Sequence, residues 1–428
     1  MTVPEAAQPT FDVVENTSAH PDPAAPVVSL CIPTFNRARY LRCLLPLLVE
    51  ELATFPHRCE VVVSDNASTD DTPAVLSEFA DRLPLRVIRH ETNQGAYANV
   101  RHVLGQGRGE FLVYLADDDM LAFEELAALI TRLKANPGIV AAYAPWIIHD
   151  LVDNRTIGTF YQQTEDVLIR QGDQRALLDT VLRLKAFPEI VVARRDAWHA
   201  LDLRINPHAF WAFVFASAYV GRGEVLFSSR PFYVSISRYF AGPPRTQVGM
   251  EEVETSWDCY RGGLEFILGR ALGQLAPADH AALLTRINPM IAQRMAVAIR
   301  LRHARERNAV DTYHLACRLR GLGHEKMLPV PLATLALRAA LWSIVHEEPA
   351  AAGAPALVCN DPLPDDARCH LASVAGERVR FDVPAEAVRD CVLLVASDET
   401  IDAAARERLA AANVRWVGLR QALARLQT

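Results

Sequence analysis

The chain has 428 residues, 50% of them hydrophobic and 22% charged, with 44 Lys+Arg against 51 Asp+Glu for a net charge of −7. At about 150 residues per domain this length points to roughly three folded units and excludes a single small module, while the ordinary composition excludes wholesale disorder and a fibrous architecture. The acidic balance excludes a protein whose whole surface grips nucleic acid.

Residues 1–26 carry five prolines and four acids with no Lys or Arg, and are expected to form a disordered leader, dispensable for chemistry. From residue 27, short apolar runs alternate with amphipathic stretches, the pattern of βαβα units around a mainly parallel sheet flanked by helices. Strands are predicted at 27–32, 60–64, 85–89, 111–115 and 139–143. Between the first two, Leu41, Leu44, Leu45, Leu48 and Leu52 recur at helical spacing. Thr72 followed by Pro73 predicts a cap and first turn for a helix at 74–83, and Asn93 caps a third helix from about residue 94. The run Gly105–Gly109 permits a sharp return into the strand at Phe111. A first half at 27–150 and a second half at 151–250 make one catalytic domain, the second containing a helix at 173–184, a strand at 189–193 and a Pro/Gly loop at 242–244.

Residues 251–348 read as a helical region. Its basic segment 294–307, with Met295, Ile299 and Leu301, is read first as a solvated helix face and second as a surface for anionic lipid or an anionic acceptor. After an Ala/Pro-rich stretch, strands at 392–396 and 414–419 flank a helix at 401–411, so residues 349–428 form a small α/β appendix. The eight cysteines form no CxxC and no zinc-spaced cluster, and no basic-then-apolar N-terminal segment is present. Cytoplasmic reduced thiols are therefore expected. Residues 328–345, the longest apolar run, are broken by Pro329, Pro331 and Arg338, a poor membrane span.

The most informative feature is Asp117-Asp118-Asp119, directly after the apolar strand at 111–115. In an open α/β sheet the C-terminal strand ends form the binding crevice. Three adjacent carboxylates there are hard to keep ionised without a cation, and a hard divalent ion resolves the repulsion while binding substrate phosphates. A solvated turn or a helix N-terminus explains an isolated triplet equally well. Here three other strand ends also carry polar, turn-forming residues: Thr34 to Arg37, Asp65 to Asp71, and Asn93 to Gly95. Together they outline a pocket.

The segments IPTFNRARYL at 32–41, VVVSDNASTDDT at 61–72 and NQGAYANVRHVLGQGRGEFLVYLADDDM at 93–120, in this order and spacing, resemble the family 2 glycosyltransferases with their GT-A fold. The resemblance covers residues 27–125 and extends more loosely over 126–240, where it is similar to bacterial transferases that build surface polysaccharide. It implies a nucleotide-sugar donor, Mn2+ or Mg2+, inversion at the anomeric carbon, and a glycan or lipid-linked acceptor; for a lipid-linked acceptor the basic segment 294–307 offers a peripheral contact at the inner face of the membrane. It places Thr34, Arg37, Asp65, Asn93 and Gly95 around the nucleotide, Asp117 and Asp118 beside it, and Asp119 with Asp117 on the metal. This chain has Ala116 where many family members carry an acid.

Inversion requires a base to take the acceptor hydroxyl's proton. The family's acidic motif for this role is expected near 200–215, where this chain has Asn206-Pro207-His208-Ala209-Phe210-Trp211. His208 is the leading substitute, with Asp202, Glu189 and Glu224 as alternatives; a packed structural histidine is the competing reading. Two other functions fit parts of the pattern. A nucleotidyltransferase would carry a Gly-rich basic phosphate loop where Pro33-Thr34-Phe35-Asn36 stands. A non-catalytic nucleotide- or sugar-binding subunit would lack the base. The appendix has no interpretable motif: an interaction or dimerisation module is the default reading, and a second sugar- or nucleotide-binding unit, suggested by Ser397-Asp398-Glu399 at a strand end, is the alternative.

Overall fold

The computed structural model describes residues 14–17, 25–201, 208–241 and 253–427. Backbone contacts divide the chain into two compact units, one of residues 1–248 with 258–287 and one of residues 249–257 with 288–428.

The first unit is built on a nine-stranded sheet. In chain order its elements are β1 (Val14–Thr17), β2 (Val28–Thr34), α1 (Ala38–Thr54), β3 (Cys59–Asp65), α2 (Thr72–Glu78), β4 (Leu85–Arg89), α3 (Ala96–Gln106), β5 (Phe111–Tyr114), β6 (Met120–Leu121), α4 (Phe123–Ala135), β7 (Ile139–Tyr143), β8 (Trp146–Asp150), β9 (Arg155–Thr159), β10 (Val167–Ile169), α5 (Gln174–Leu184), β11 (Val191–Arg194), α6 (Arg195–His199), α7 (Trp211–Val220), β12 (Glu224–Phe227) and β13 (Tyr233–Arg238). The sheet runs β1-β4-β3-β2-β5-β11-β7-β12-β10. Its block β4-β3-β2-β5 is all parallel, and β7 and β12 run the same way, so six of the nine strands share one direction. β6, β13, β8 and β9 form a second, four-stranded sheet.

The parallel block is buried on both faces, which is why its strands read as continuous apolar runs rather than alternating ones. Val28, Leu30 and Ile32 of β2 and Val61 and Val63 of β3 share a core with Leu41, Leu44, Leu45 and Leu48 of α1. The return before β5 depends on close approach: a Cβ on Gly109 would sit 2.7 Å from the Ser29 amide nitrogen, so only glycine fits.

Several expectations are corrected. The leader read as unstructured contributes β1, which pairs antiparallel with Arg86–Arg89 of β4; β4 is otherwise a sheet edge with unpaired backbone groups, and Val14 and Thr17 suit a strand. The helix expected at 74–83 ends at Glu78. Thr72 is not its side-chain cap: the Thr72 hydroxyl instead accepts a hydrogen bond from the Arg37 amide. The third helix begins at Ala96 behind Gly95, not at 94 behind Asn93. Asp202 and the loop at 242–244 lie outside the described residues.

In the second unit, β14 (Leu357–Cys359), β15 (Val379–Phe381), β16 (Val392–Val395) and β17 (Arg415–Gly418) form an all-parallel sheet in the order β15-β14-β16-β17, two strands more than expected. The expected boundary at 348/349 is crossed by one core, because Leu341, Ile344 and Val345 of the helix Leu332–His346 pack with Leu357, Leu371, Val392 and Leu394. The basic segment 294–307 is committed inside this unit: Met295 and Ile299 are buried, and Arg305 and Arg307 both pair with buried Glu254. No described helix is long and apolar enough to cross a membrane.

Candidate functional site

The loops leaving β2, β3, β4 and β5 lie at one edge of the sheet because these strands are parallel. They lock onto one another through side chains. Asn36 and Ala67 hold left-handed backbone (φ 53° and 63°), costly for non-glycine residues. The Asn36 amide donates to Ser68 Oγ at 2.9 Å, Asn36 Oδ1 accepts from the Thr69 amide at 2.7 Å, and the Ala67 amide donates to the Asp65 carbonyl at 2.9 Å. The third loop joins through Asn66, whose Nδ2 donates to Asn93 Oδ1 and whose Oδ1 accepts from the Gln94 amide, both at 2.8 Å. Asn93 Oδ1 also accepts from the Gly95 amide. At φ 86° and ψ 158°, Gly95 has backbone geometry that side chains disfavour, although a Cβ there would meet nothing.

Two polar atoms inside this cradle have no hydrogen-bond partner among the described residues: Thr34 Oγ1 and Asp65 Oδ2. Thr34 and Asp65 are 2% and 1% exposed and stand side by side as a register pair at the ends of β2 and β3. Asp65 Oδ1 accepts from the Ser68 amide, and Oδ2 lies 3.5 Å from Arg89 Nε. Buried polar atoms in native proteins are nearly always paired, so Thr34 Oγ1, together with Asp65 Oδ2, whose ion-pair neighbour is the half-exposed Arg89 guanidinium, keeps hydrogen-bonding capacity at this strand end.

Arg37 closes the next side. Its Nε is 3.7 Å from Asp117 Oδ1 and its guanidinium lies over the Tyr40 ring, which in turn packs edge-on against Tyr239 just beyond β13. Asp117, Asp118 and Asp119 are all buried. Asp119 is held by the second sheet: its Oδ2 accepts from the Tyr233 hydroxyl at 3.0 Å and its Oδ1 from the Ile236 amide at 2.8 Å. Tyr114, at the end of β5, reports the charge density. Burial first, then the charges of Asp119, Asp118, Asp117 and Glu189, push its hydroxyl well above the usual tyrosine range.

The base candidates separate. β11 runs antiparallel to β5, so Glu189, two residues ahead of β11, stands at the same end as the Asp triplet. Glu224 does not: it opens β12 and pairs with Ile139 at the start of the parallel strand β7, at the opposite end of the sheet. A strand's direction, invisible in the sequence alone, removes Glu224 from the site. His208 is exposed ahead of α7, with its carbonyl oxygen where a Cβ on Gly262 would fall. Asp202 lies outside the described residues.

No group of three or more His, Cys, Asp or Glu side chains among the described residues converges as a self-sufficient metal site. The donor chemistry nevertheless fits a hard cation of the Mg2+ or Mn2+ type. Such ions take oxygen ligands, and Mg2+ sites typically use one or two carboxylates with substrate phosphates filling the rest. Asp117 and Asp119 offer that.

Residues 29–186 match the family model described as Glycosyl transferase family 2. These residues form a family 2 glycosyltransferase domain. Abequosyltransferase RfbV of Salmonella typhimurium is 27% identical over 198 residues, covering 43% of this chain and 59% of that protein. Poly(ribitol-phosphate) beta-N-acetylglucosaminyltransferase TarS of Staphylococcus aureus is 37% identical over 100 residues, 23% of this chain and 17% of that protein. The chain therefore spans less than two thirds of either relative. The crystal structure of S. aureus TarS 1-349 with UDP aligns with a TM-score of 0.45 and 17% identity over 72% of this chain and 89% of that one, a likeness too loose to transfer detail. The family 2 domain contains every loop of the cradle and stops three residues before Glu189. Tyr233, Ile236 and Tyr239, which complete the site, lie beyond the match; the sequence signal there is a short apolar–polar alternation at 234–237 that singles out none of the three side chains.

Proposed function

We propose that the chain is an inverting glycosyltransferase that moves a sugar from a nucleoside-diphosphate donor to a hydroxyl of a glycan or lipid-linked acceptor. The observation that carries this reading is that one sheet edge holds the buried atoms Thr34 Oγ1 and Asp65 Oδ2, neither of them hydrogen-bonded among the described residues, together with Arg37 and the Asp triplet it pairs with. A nucleoside offers donors and acceptors to the pair, and its diphosphate extends toward the guanidinium. Asp117 and Asp119 would hold Mg2+ or Mn2+, which when bound stabilises charge on the departing diphosphate.

Glu189 takes the part of general base in this reading, replacing His208, because the antiparallel pairing of β11 with β5 brings it to the strand end that carries the triplet. It would accept the proton of the acceptor hydroxyl as that oxygen attacks the anomeric carbon from the face opposite the diphosphate. The named relatives transfer abequose and N-acetylglucosamine, which favours a surface glycopolymer or its lipid-linked precursor as acceptor class.

Release of nucleoside diphosphate from UDP-, GDP-, CDP- and dTDP-sugars in the presence of Mn2+ and mixed glycan acceptors tests the proposal. Turnover of one donor family supports it. Tight donor binding with no turnover of any donor would favour a non-catalytic binding subunit.

A further inference from the structure

Behind the paired strand ends, on the side away from the candidate nucleotide, lies a buried polar cluster that plays no part in the chemistry above. Its members are Ser64 of β3, His90 just after β4, and Asn99 and His102 of α3, all 9% exposed or less. Asn99 is its hub. Asn99 Nδ2 donates to the Ser64 carbonyl at 2.9 Å and to the Thr34 carbonyl at 3.4 Å, while Asn99 Oδ1 accepts from Ser64 Oγ at 2.6 Å. His90 Nε2 lies 3.2 Å from Asn99 Oδ1 and 3.0 Å from Ser64 Oγ, and the His90 amide donates to the Asp65 carbonyl at 2.9 Å. His102 Nδ1 is 3.2 Å from Ser64 Oγ.

One side chain therefore grips the backbone of both strands at the points that carry Thr34 and Asp65. An apolar helix face would cover the sheet equally well, and four hydrogen-bonding residues are costly to bury unless every group is satisfied. The cluster also joins the third loop to the other two, since α3 begins directly after Gly95.

We infer that Asn99 is a positioning residue for the donor site, fixing the separation and orientation of Thr34 and Asp65 without touching the nucleotide. The inference rests on the donor-site reading above. Nucleoside diphosphate binding depends on two short side chains standing at a fixed spacing, and hydrogen-bond recognition fails over shifts of well under an ångström. The β2–β3 ladder and the Asn66 amide bond to the Thr34 carbonyl keep the strand ends together without the clamp, but their orientation loosens, which weakens binding and leaves Asp117, Asp119 and Glu189 in place.

The test compares wild type, Asn99→Ala and Ser64→Ala, each checked for cooperative unfolding, by calorimetric titration with UDP, GDP, CDP and dTDP in Mn2+ and by steady-state kinetics with the active donor. Asn99→Ala is expected to raise both the nucleotide Kd and the donor KM on the order of tenfold or more, with kcat at saturating donor within about twofold of wild type. Ser64→Ala, which keeps both Asn99-to-carbonyl bonds, is expected to move the same way by less, and it stands as the test should Asn99→Ala fail to fold. A lowered Tm with unchanged Kd and KM in the folded variants, or a fall in kcat at unchanged KM, overturns the inference. If wild type itself binds none of the four nucleotides, the donor-site reading fails and the inference falls with it.

Discussion

The Tyr233 hydroxyl donates to Asp119 Oδ2 at 3.0 Å and accepts from the Ala116 amide at 3.1 Å, so one phenol from the second sheet spans both ends of the acidic loop. This relationship changes what a substitution at Asp119 should do. A carboxylate dedicated to an ion could be replaced with little effect on the fold; this one also accepts two buried hydrogen bonds.

Asp119→Asn is therefore expected to abolish metal-dependent turnover and also to lower stability by about 1.5–3 kcal/mol, the usual range for a hydrogen bond to a charged group. Tyr233→Phe should lower stability by a similar amount and reduce turnover less than Asp119→Asn does. Calorimetric unfolding with donor turnover checks both. A fully active Asp119→Asn enzyme would remove that carboxylate from the mechanism.

Glu189→Gln is expected to lower kcat by about 10^2- to 10^4-fold, the ordinary contribution of a general base, with nucleotide affinity unchanged. Glu224→Gln, at the other end of the sheet, should leave kcat as it was. Single-donor kinetics on both variants and on His208→Ala decide among the candidates; a large loss in His208→Ala with none in Glu189→Gln would restore the histidine.

A histidine pair beneath the cradle gives a pH signature. Burial, then the neighbouring His90 and Arg86, lower the His102 pKa to about 4, and burial lowers that of His90 against opposing effects of Asn99 and Asp65. The groups facing the pair are Ser64 and Asp65 from β3, Arg86 from β4, and Asn99 and Gln106 from α3. With a folded pKa below the unfolded value of about 6.5, the unfolded chain binds more protons between the two. Stability from this pair is thus complete above about pH 6.5 and declines as pH falls toward 4. Tm measured from pH 8 to 4 should fall more steeply in wild type than in His102→Gln below pH 6.5. Parallel curves would contradict the assignment.

The strands that share the sheet's main direction were legible because a strand buried on both faces is a continuous apolar run: 85–89 and 139–143 coincide with β4 and β7. The cradle residues were legible too, since Thr34, Asp65, Asn93 and Asp117 follow such runs directly. The rest depends on pairing between distant segments. β13 is held beside Asp119 by pairing with β8 and with β6, a two-residue strand no periodicity reveals. β14 and β15 are three residues each. Asn99 reads in sequence as an ordinary polar helix residue, and only the packing of α3 onto β2 and β3 turns it inward. Glu224 was misplaced because a residue's distance along the chain does not tell which end of a sheet it occupies.

Arg37→Gln should weaken nucleotide binding about tenfold or more, because a charge-assisted contact to phosphate is lost. The fold should barely notice, since the Arg37–Asp117 pair at 3.7 Å is long and partly exposed. Titration calorimetry against unfolding temperature separates the two effects.

The central claim is that the cradle at Thr34, Asp65 and Arg37 takes a nucleoside diphosphate with the help of a divalent ion. Thermal unfolding of the full chain with UDP, GDP, CDP or dTDP, each with and without Mn2+ or Mg2+, tests it most directly. A ligand at ~100 times its Kd adds ~2.7 kcal/mol to stability, which raises Tm by several degrees in a domain of this size. The expected result is a shift with one nucleotide that appears only with metal and disappears in Asp65→Ala. No shift with any nucleotide, in protein that unfolds cooperatively, would contradict the claim.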